Sequence, residues 1–318
     1  MISTSKYPRP PLLGLVVLFF SGLARAQEPP EPAPTKTPPK APYSLPWQLR
    51  PVAPGSVVRS DTTFAFYENP ANGESGSTVA STLLASYKVA DSLAPLVRFG
   101  VVSNSPPDAP GAESKTGLMN PILGATYGIP LGDMLKLGLF LGFSVPVGSG
   151  GGDDAEPAAR AANGAGILAR SAMDNAMFAV NDFTVFPGVG LALLAAGLTV
   201  QAEVTVLQLT RVRGGDRAQP DSSKTNFTSG LHVGYFLIPE FSLSAELRHQ
   251  RWLSTPRAVE ADPTNSVRDN TTVAAGPRVH MKLGELWFRP GVAFALPLDD
   301  PMKRANYRIF QLDLPLAF

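Results

Sequence analysis

Arg308-Ile309-Phe310-Gln311-Leu312-Asp313-Leu314-Pro315-Leu316-Ala317-Phe318 ends the chain with an apolar residue at every second position. Phe310, Leu312, Leu314, Leu316 and Phe318 alternate with Gln311, Asp313, Pro315 and Ala317. A period of two belongs to a strand with one apolar face and one polar or small face. Eleven further stretches share that character: 57–67, 77–88, 93–102, 118–129, 135–147, 183–194, 198–210, 225–236, 241–252, 271–283 and 286–296. Each has the length a tilted strand needs to cross hydrocarbon, ~9–11 residues.

The connections carry as much information as the strands. Those at 89–92, 130–134, 195–197, 237–240 and 284–285 are short, and those at 68–76, 103–117, 148–182, 211–224, 253–270 and 297–307 are longer. Short turns at one end and long loops at the other mark a membrane-spanning barrel and put both termini at the turn end, in the periplasm. The expected fold class is therefore all-β: a transmembrane antiparallel up-and-down barrel of about 12 strands. In 135–147, Leu135, Leu137, Leu139, Leu141 and Phe143 oppose Lys136, Gly138, Phe140, Gly142 and Ser144. The same split recurs in 225–236, 271–283 and 286–296. Apolar faces suit lipid, and the small or charged faces suit a hydrated interior. Phase changes near Leu207 to Leu209, which predicts a bulge there.

The start of the chain reads as an export signal over residues 1–26. Lys6 and Arg9 precede an apolar core from Leu12 to Leu23, and Ala24-Arg25-Ala26 fits a cleavage site. Residues 27–54 hold ten of the 32 prolines and read as an extended periplasmic linker. Trp47 near its end is either an anchor at the membrane interface or part of a solvated tail. The barrel takes 55–318. Without cysteine, lipid anchoring, disulfides and thiolate metal sites are excluded. A net charge of +1 gives no sign of a nucleic-acid partner. Nothing in the chain calls for a cofactor or a metal ion.

Charged and polar residues on the inward phase form the candidate site. Arg59, Asp61, Arg98, Glu203, His232, Glu246, Arg248, Arg278, His280, Arg289 and Asp313 all fall in the half of the wall nearer the turns, given ~3.3 Å per residue. They are either a constriction that filters solutes or a salt-bridged core that holds the barrel shut. Arg59 and Asp313, on the first and last strands at similar depth, are placed to pair across the seam. The 148–182 loop carries Asp153, Asp154, Glu156 and Pro157 ahead of an alanine-rich run, which predicts a helix start. That helix either folds into the mouth or packs on the rim.

An enzyme reading is thin. His232 and His280 fall on the inward phase, and His249 falls on the outward phase with Ser254 and Thr255 near it in sequence. No phosphate loop, HExxH motif or nucleophile elbow is present.

The closing alternation to Phe318 resembles the last strand of bacterial outer-membrane β-barrels of the channel or transporter kind. The resemblance covers about residues 55–318. It implies outer-membrane localisation, with Phe310, Leu312, Leu314, Leu316 and Phe318 as the assembly signal. It also implies contact with lipid, lipopolysaccharide and the barrel-assembly machinery. Size, strand rhythm and the helical loop are also similar to outer-membrane transporters linked to aromatic-compound degradation, which implies uptake of small solutes without fixing a substrate. Three functions stand: a passive or weakly selective channel, a closed structural barrel, and a lipid-active enzyme using His249. Oligomeric state is left open.

Overall fold

A computed structural model describes residues 42–153, 156–215 and 221–318. The export signal and most of the proline-rich segment, up to residue 41, lie outside the described residues.

β1 (Val57–Glu68), β2 (Ser75–Ser86) and β3 (Leu93–Ser105) lead to β4 (Lys115–Leu118) and β5 (Ile122–Pro130). These last two are halves of one stave, broken around Pro121, which has no N–H for the ladder. β6 (Leu135–Ser144), β7 (Asp182–Ala195), β8 (Leu198–Arg211), β9 (Ser223–Ile238) and β10 (Phe241–Trp252) each make a full stave. β11 (Asp269–Val279) and β12 (Met281–Leu283) share the next. β13 (Leu286–Phe288) and β14 (Gly291–Pro297), interrupted at Pro290, share another, and β15 (Arg308–Ala317) is the last. All neighbours pair antiparallel, and β1 meets β15 from Val57–Ala317 to Phe66–Arg308, so twelve staves close into a barrel. Closure leaves no edge of unpaired backbone, which hydrocarbon would penalise heavily.

The tight connections fall at one end. β7 turns into β8 through Ala196 and Gly197, both with positive φ (47° and 85°), the backbone of a type I′ hairpin. The long connections fall at the other. Outward positions carry a belt of exposed apolar side chains, among them Phe66, Phe99, Leu123, Leu141, Leu247, Val292 and Phe310. Phe310, Leu312 and Phe318 point outward on or beside the closing strand. Among the described residues no helix is long and apolar enough to cross a membrane, so the strands carry any crossing.

The expected bulge near Leu207 to Leu209 is absent. β8 keeps one register against β9 throughout, and against β7 it loses only the pairs opposite Phe186 and Pro187. Alternation never slips: Leu207 and Leu209 continue the inward row of Thr199, Gln201, Glu203 and Thr205. What changes is the content of the lumen. Leu207 and Leu209 pack with Phe140, Phe186, Ala176, Met177 and Phe178. The last three come from the long loop. A register irregularity does occur between β9 and β10, at Phe241 and Ser242.

That loop folds inward. α1 (Pro157–Ala169) opens on Pro157, where a missing N–H costs nothing, and lies against β1 to β4. The chain then descends, and Ala169, Arg170, Ser171, Ala172 and α2 (Asn175–Phe178) are buried. Ala169 packs against Ala65, Ala274, Ala295 and Ile309 of the wall. α3 (Arg257–Glu260) is a single turn in a different loop.

Candidate functional site: an occupied lumen

All eleven predicted residues occupy inward positions of the wall. Asp61, Glu203, His232, Glu246, Arg248, Arg278, His280 and Asp313 are buried, and Arg59, Arg98 and Arg289 are partly so. Two chain segments lie among them and cover most of them, while Arg59 and Arg289 border a cavity at the turn end.

The first segment is 42–54, which runs back into the turn end of the barrel. It has no ladder of its own, so its backbone groups must be satisfied by the wall. Glu246 accepts the N–H of Trp47 at 2.8 Å and of Gln48 at 3.0 Å. Glu203 accepts the N–H of Arg50 at 2.6 Å and its guanidinium at 2.6 Å. Arg59 donates to the carbonyls of Pro46 (2.9 Å) and Trp47 (2.6 Å), and Gln201 donates to the carbonyl of Arg50 at 2.7 Å. The hydroxyl of Tyr43 donates to Gln201 at 2.5 Å. Trp47 is fully buried, with the guanidinium of Arg278 4.4 Å above its ring. Trp47 is thus neither an interfacial anchor nor part of a solvated tail.

The inward glycines are the seat of this segment. A Cβ on Gly138 would lie 2.8 Å from the Cα of Val52, and one on Gly291 would lie 2.8 Å from the Trp47 ring. At Gly230 it would lie 2.5 Å from a methyl of Leu49. These positions are small because a chain lies on them, not because water does.

The second segment is the inward loop. Arg170 binds Asp61 at 2.6 Å and Asp174 at 2.9 Å, and Arg98 binds Asp174 at 2.7 Å. Arg248 donates to the Ser171 hydroxyl at 3.3 Å and to Gln311 at 3.0 Å. Gln311 donates to both Asp61 (2.9 Å) and the Trp47 carbonyl (3.1 Å), and so links the two segments. Arg59 and Asp313 meet across the seam through two bonds of 2.6 and 2.9 Å. His232 lies beside Glu246 at 3.9 Å, and His280 bonds Ser242 at 2.8 Å.

Arg50, Arg170 and Asp174 belong to this network and were missed by reading strands alone. The signal was there: a lone arginine in a proline-rich stretch, and an Arg–Asp pair four residues apart in an otherwise apolar run. Burial alone would push the Asp174 carboxyl up, but Arg98 and Arg170 outweigh it and hold the group well below the usual carboxylate range. A depressed folded value means the charge stabilises docking above the unfolded value of about 4, with loss only as pH falls below it. Limited proteolysis of the 148–182 loop should therefore be equally slow at pH 7 and pH 5. Asp174→Asn should speed it at both.

The space that remains is divided. A cavity of about 280 Å³ lies at the turn end beside Tyr43 to Pro54. One of about 50 Å³ lies between Gln48, Arg50 and α2, and one of about 240 Å³ lies near Asp182, Lys224 and Trp252. Arg50 borders the first two, with its guanidinium bonded to Glu203 and 4.4 Å over the Phe140 ring.

On the outer face, His249 contacts Thr271 across the β10–β11 pair at 3.0 Å. Ser254 is engaged by the backbone of Thr225 instead. Among the described residues no cluster of His, Asp and Glu is arranged to hold a metal ion.

No protein-family model matches the chain, and no curated protein matches it in sequence. In fold it is similar to the COG4313 outer membrane channel from Pseudomonas putida F1, with a TM-score of 0.50 at 15% identity, over 86% of this chain and 98% of that one. The KdgM porin matches with a TM-score of 0.45 at 8% identity, over 82% and 99% of the two chains. The NanC porin matches with a TM-score of 0.45 at 12% identity, over 81% and 98%. The likeness to the Pseudomonas channel is one of fold: a closed antiparallel β-barrel, matched over nearly the whole of that protein.

Proposed function

We propose that this protein is an outer-membrane channel for small solutes, closed in the state described by residues 42–54 and the 148–182 loop. The observation that carries the reading is how the lumen is filled. Much of the filling is two chain segments held to inward charges, the first of them seated on inward glycines of the wall. Ion pairs taken out of water gain little over apolar packing of the same volume. A barrel built only to stay shut has no need of them. A lumen that fills with water when a segment leaves does, because water then hydrates the same charges. The outward apolar belt supports a place in the outer membrane, with the turn end in the periplasm.

The filled lumen also favours the second reading, a closed structural barrel. Planar-bilayer recording separates the two. The channel reading expects small, intermittent current steps from the full chain. Protein that inserts yet carries no current, with residues 42–54 present or removed, would leave only the structural barrel.

A further inference from the structure

We infer that the 280 Å³ cavity at the turn end is a binding site for a small organic monoanion, a carboxylate on a compact apolar body, with Arg289 as its anion-binding group. Charge balance in the lumen points there. Arg50 is matched by Glu203, Arg248 by Glu246, and Arg98 and Arg170 by Asp61 and Asp174. The exception is around Asp313. This one carboxylate takes both Arg59 and Arg278, each at 2.6 Å.

Register explains why Arg289 is left over. Pro315 of β15 pairs with Arg59 on one side, and on the other its carbonyl accepts the N–H of Arg289 at 3.0 Å. The two arginines therefore flank Pro315 at one height, a row nearer the turns than Asp313. Asp313 lies opposite Asp61, takes Arg59 diagonally across the seam and receives Arg278 over Gly291. Arg289 has no carboxylate partner among the described residues, and its Nε is buried without a hydrogen bond. Its guanidinium lies 5.4 Å from the Trp287 ring.

Arg59 and Arg289 both line the cavity, with Arg50 already paired to Glu203, and its remaining walls are mainly apolar, Leu45, Pro51, Leu84 and Leu96 among them. At about 30 Å³ per water in the liquid, the space takes about nine water-sized groups. That suits an aryl or short alkyl acid rather than a lipid. A guanidinium that lacks a partner recognises a carboxylate through charge-assisted bonds, while the apolar walls favour the body. The assignment names a ligand for the lumen of the proposed channel, but binding is read without any passage through it, so either can fail alone.

The test is calorimetric titration of the full chain in detergent with benzoate, benzyl alcohol and acetate. Benzoate should bind, and the other two should bind at least tenfold more weakly. Arg289→Gln should weaken benzoate about tenfold or more, the loss expected for a charged hydrogen bond. Arg289→Lys should recover part of it. Among the described residues the Arg289 side chain makes no hydrogen bond or ion pair, so both variants should keep the heat-modifiable mobility of a folded barrel. Equal benzoate affinity in Arg289→Gln, or benzyl alcohol or acetate binding as tightly as benzoate, overturns the assignment.

Discussion

Removing residues 42–54 is expected to raise single-channel conductance at least several-fold while leaving the barrel folded. The segment spans the turn end of the lumen, and its backbone is held by Glu203, Glu246, Arg59, Gln201 and Gln311. Its loss strands those partners only if the lumen stays dry. In a barrel open to solvent at one end, water enters and hydrates them, so the wall should survive. Gly138→Leu tests the same point without shortening the chain, because a side chain there collides with Val52. It should unseat the segment and raise conductance in the same direction. The loop at the other end stays docked on Asp61 and Arg98 in both variants, so the current should remain below that of an empty lumen. Unchanged conductance in both would mean that the segment does not close the path.

The wall was legible because its signals are local. Period two marks each strand, and the contrast between Ala196-Gly197 and the 148–182 stretch sorts the connections by end. Phase alone put Arg278, Glu246 and Asp313 inside, since a strand side chain has only two directions to point. Similar depth on the first and last strands then put Arg59 within reach of Asp313 across the seam.

The contents of the lumen were not legible for a different reason. Gly138, Gly230 and Gly291 record only that no side chain fits. That pattern is the same whether water or another chain lies on the glycine. Leu207 and Leu209 read as a slipped phase because a hydrated interior was assumed. Once Met177 and Phe178 lie on them, inward leucines are what burial requires. Trp47 gave its own hint, since a tryptophan in a proline-rich stretch is costly to leave in water. Its partners, Glu246 and Arg278, are some two hundred residues away in sequence, and no local pattern links them.

Asp313→Asn is expected to be the most destabilising single substitution at the seam. Asp313 is fully buried and accepts three short bonds, two from Arg59 and one from Arg278. Breaking a buried pair from one side costs about 3–5 kcal/mol, because the other charge stays behind without its partner. Here two guanidinium groups stay behind, with a third, Arg289, close by. Arg59 would keep the carbonyls of Pro46 and Trp47, whereas among the described residues Arg278 would keep the Arg289 carbonyl and the Trp47 ring. The remaining strain should therefore centre on Arg278. Asp313→Asn combined with Arg278→Met should accordingly be more stable than Asp313→Asn alone, although it carries one more substitution. The temperature at which heat-modifiable mobility is lost measures both. The order wild type, double variant, single variant is the expected one. A single variant as stable as the wild type would mean that water already reaches the seam charges, and the closed lumen described for this chain would then be the exception among its states in solution.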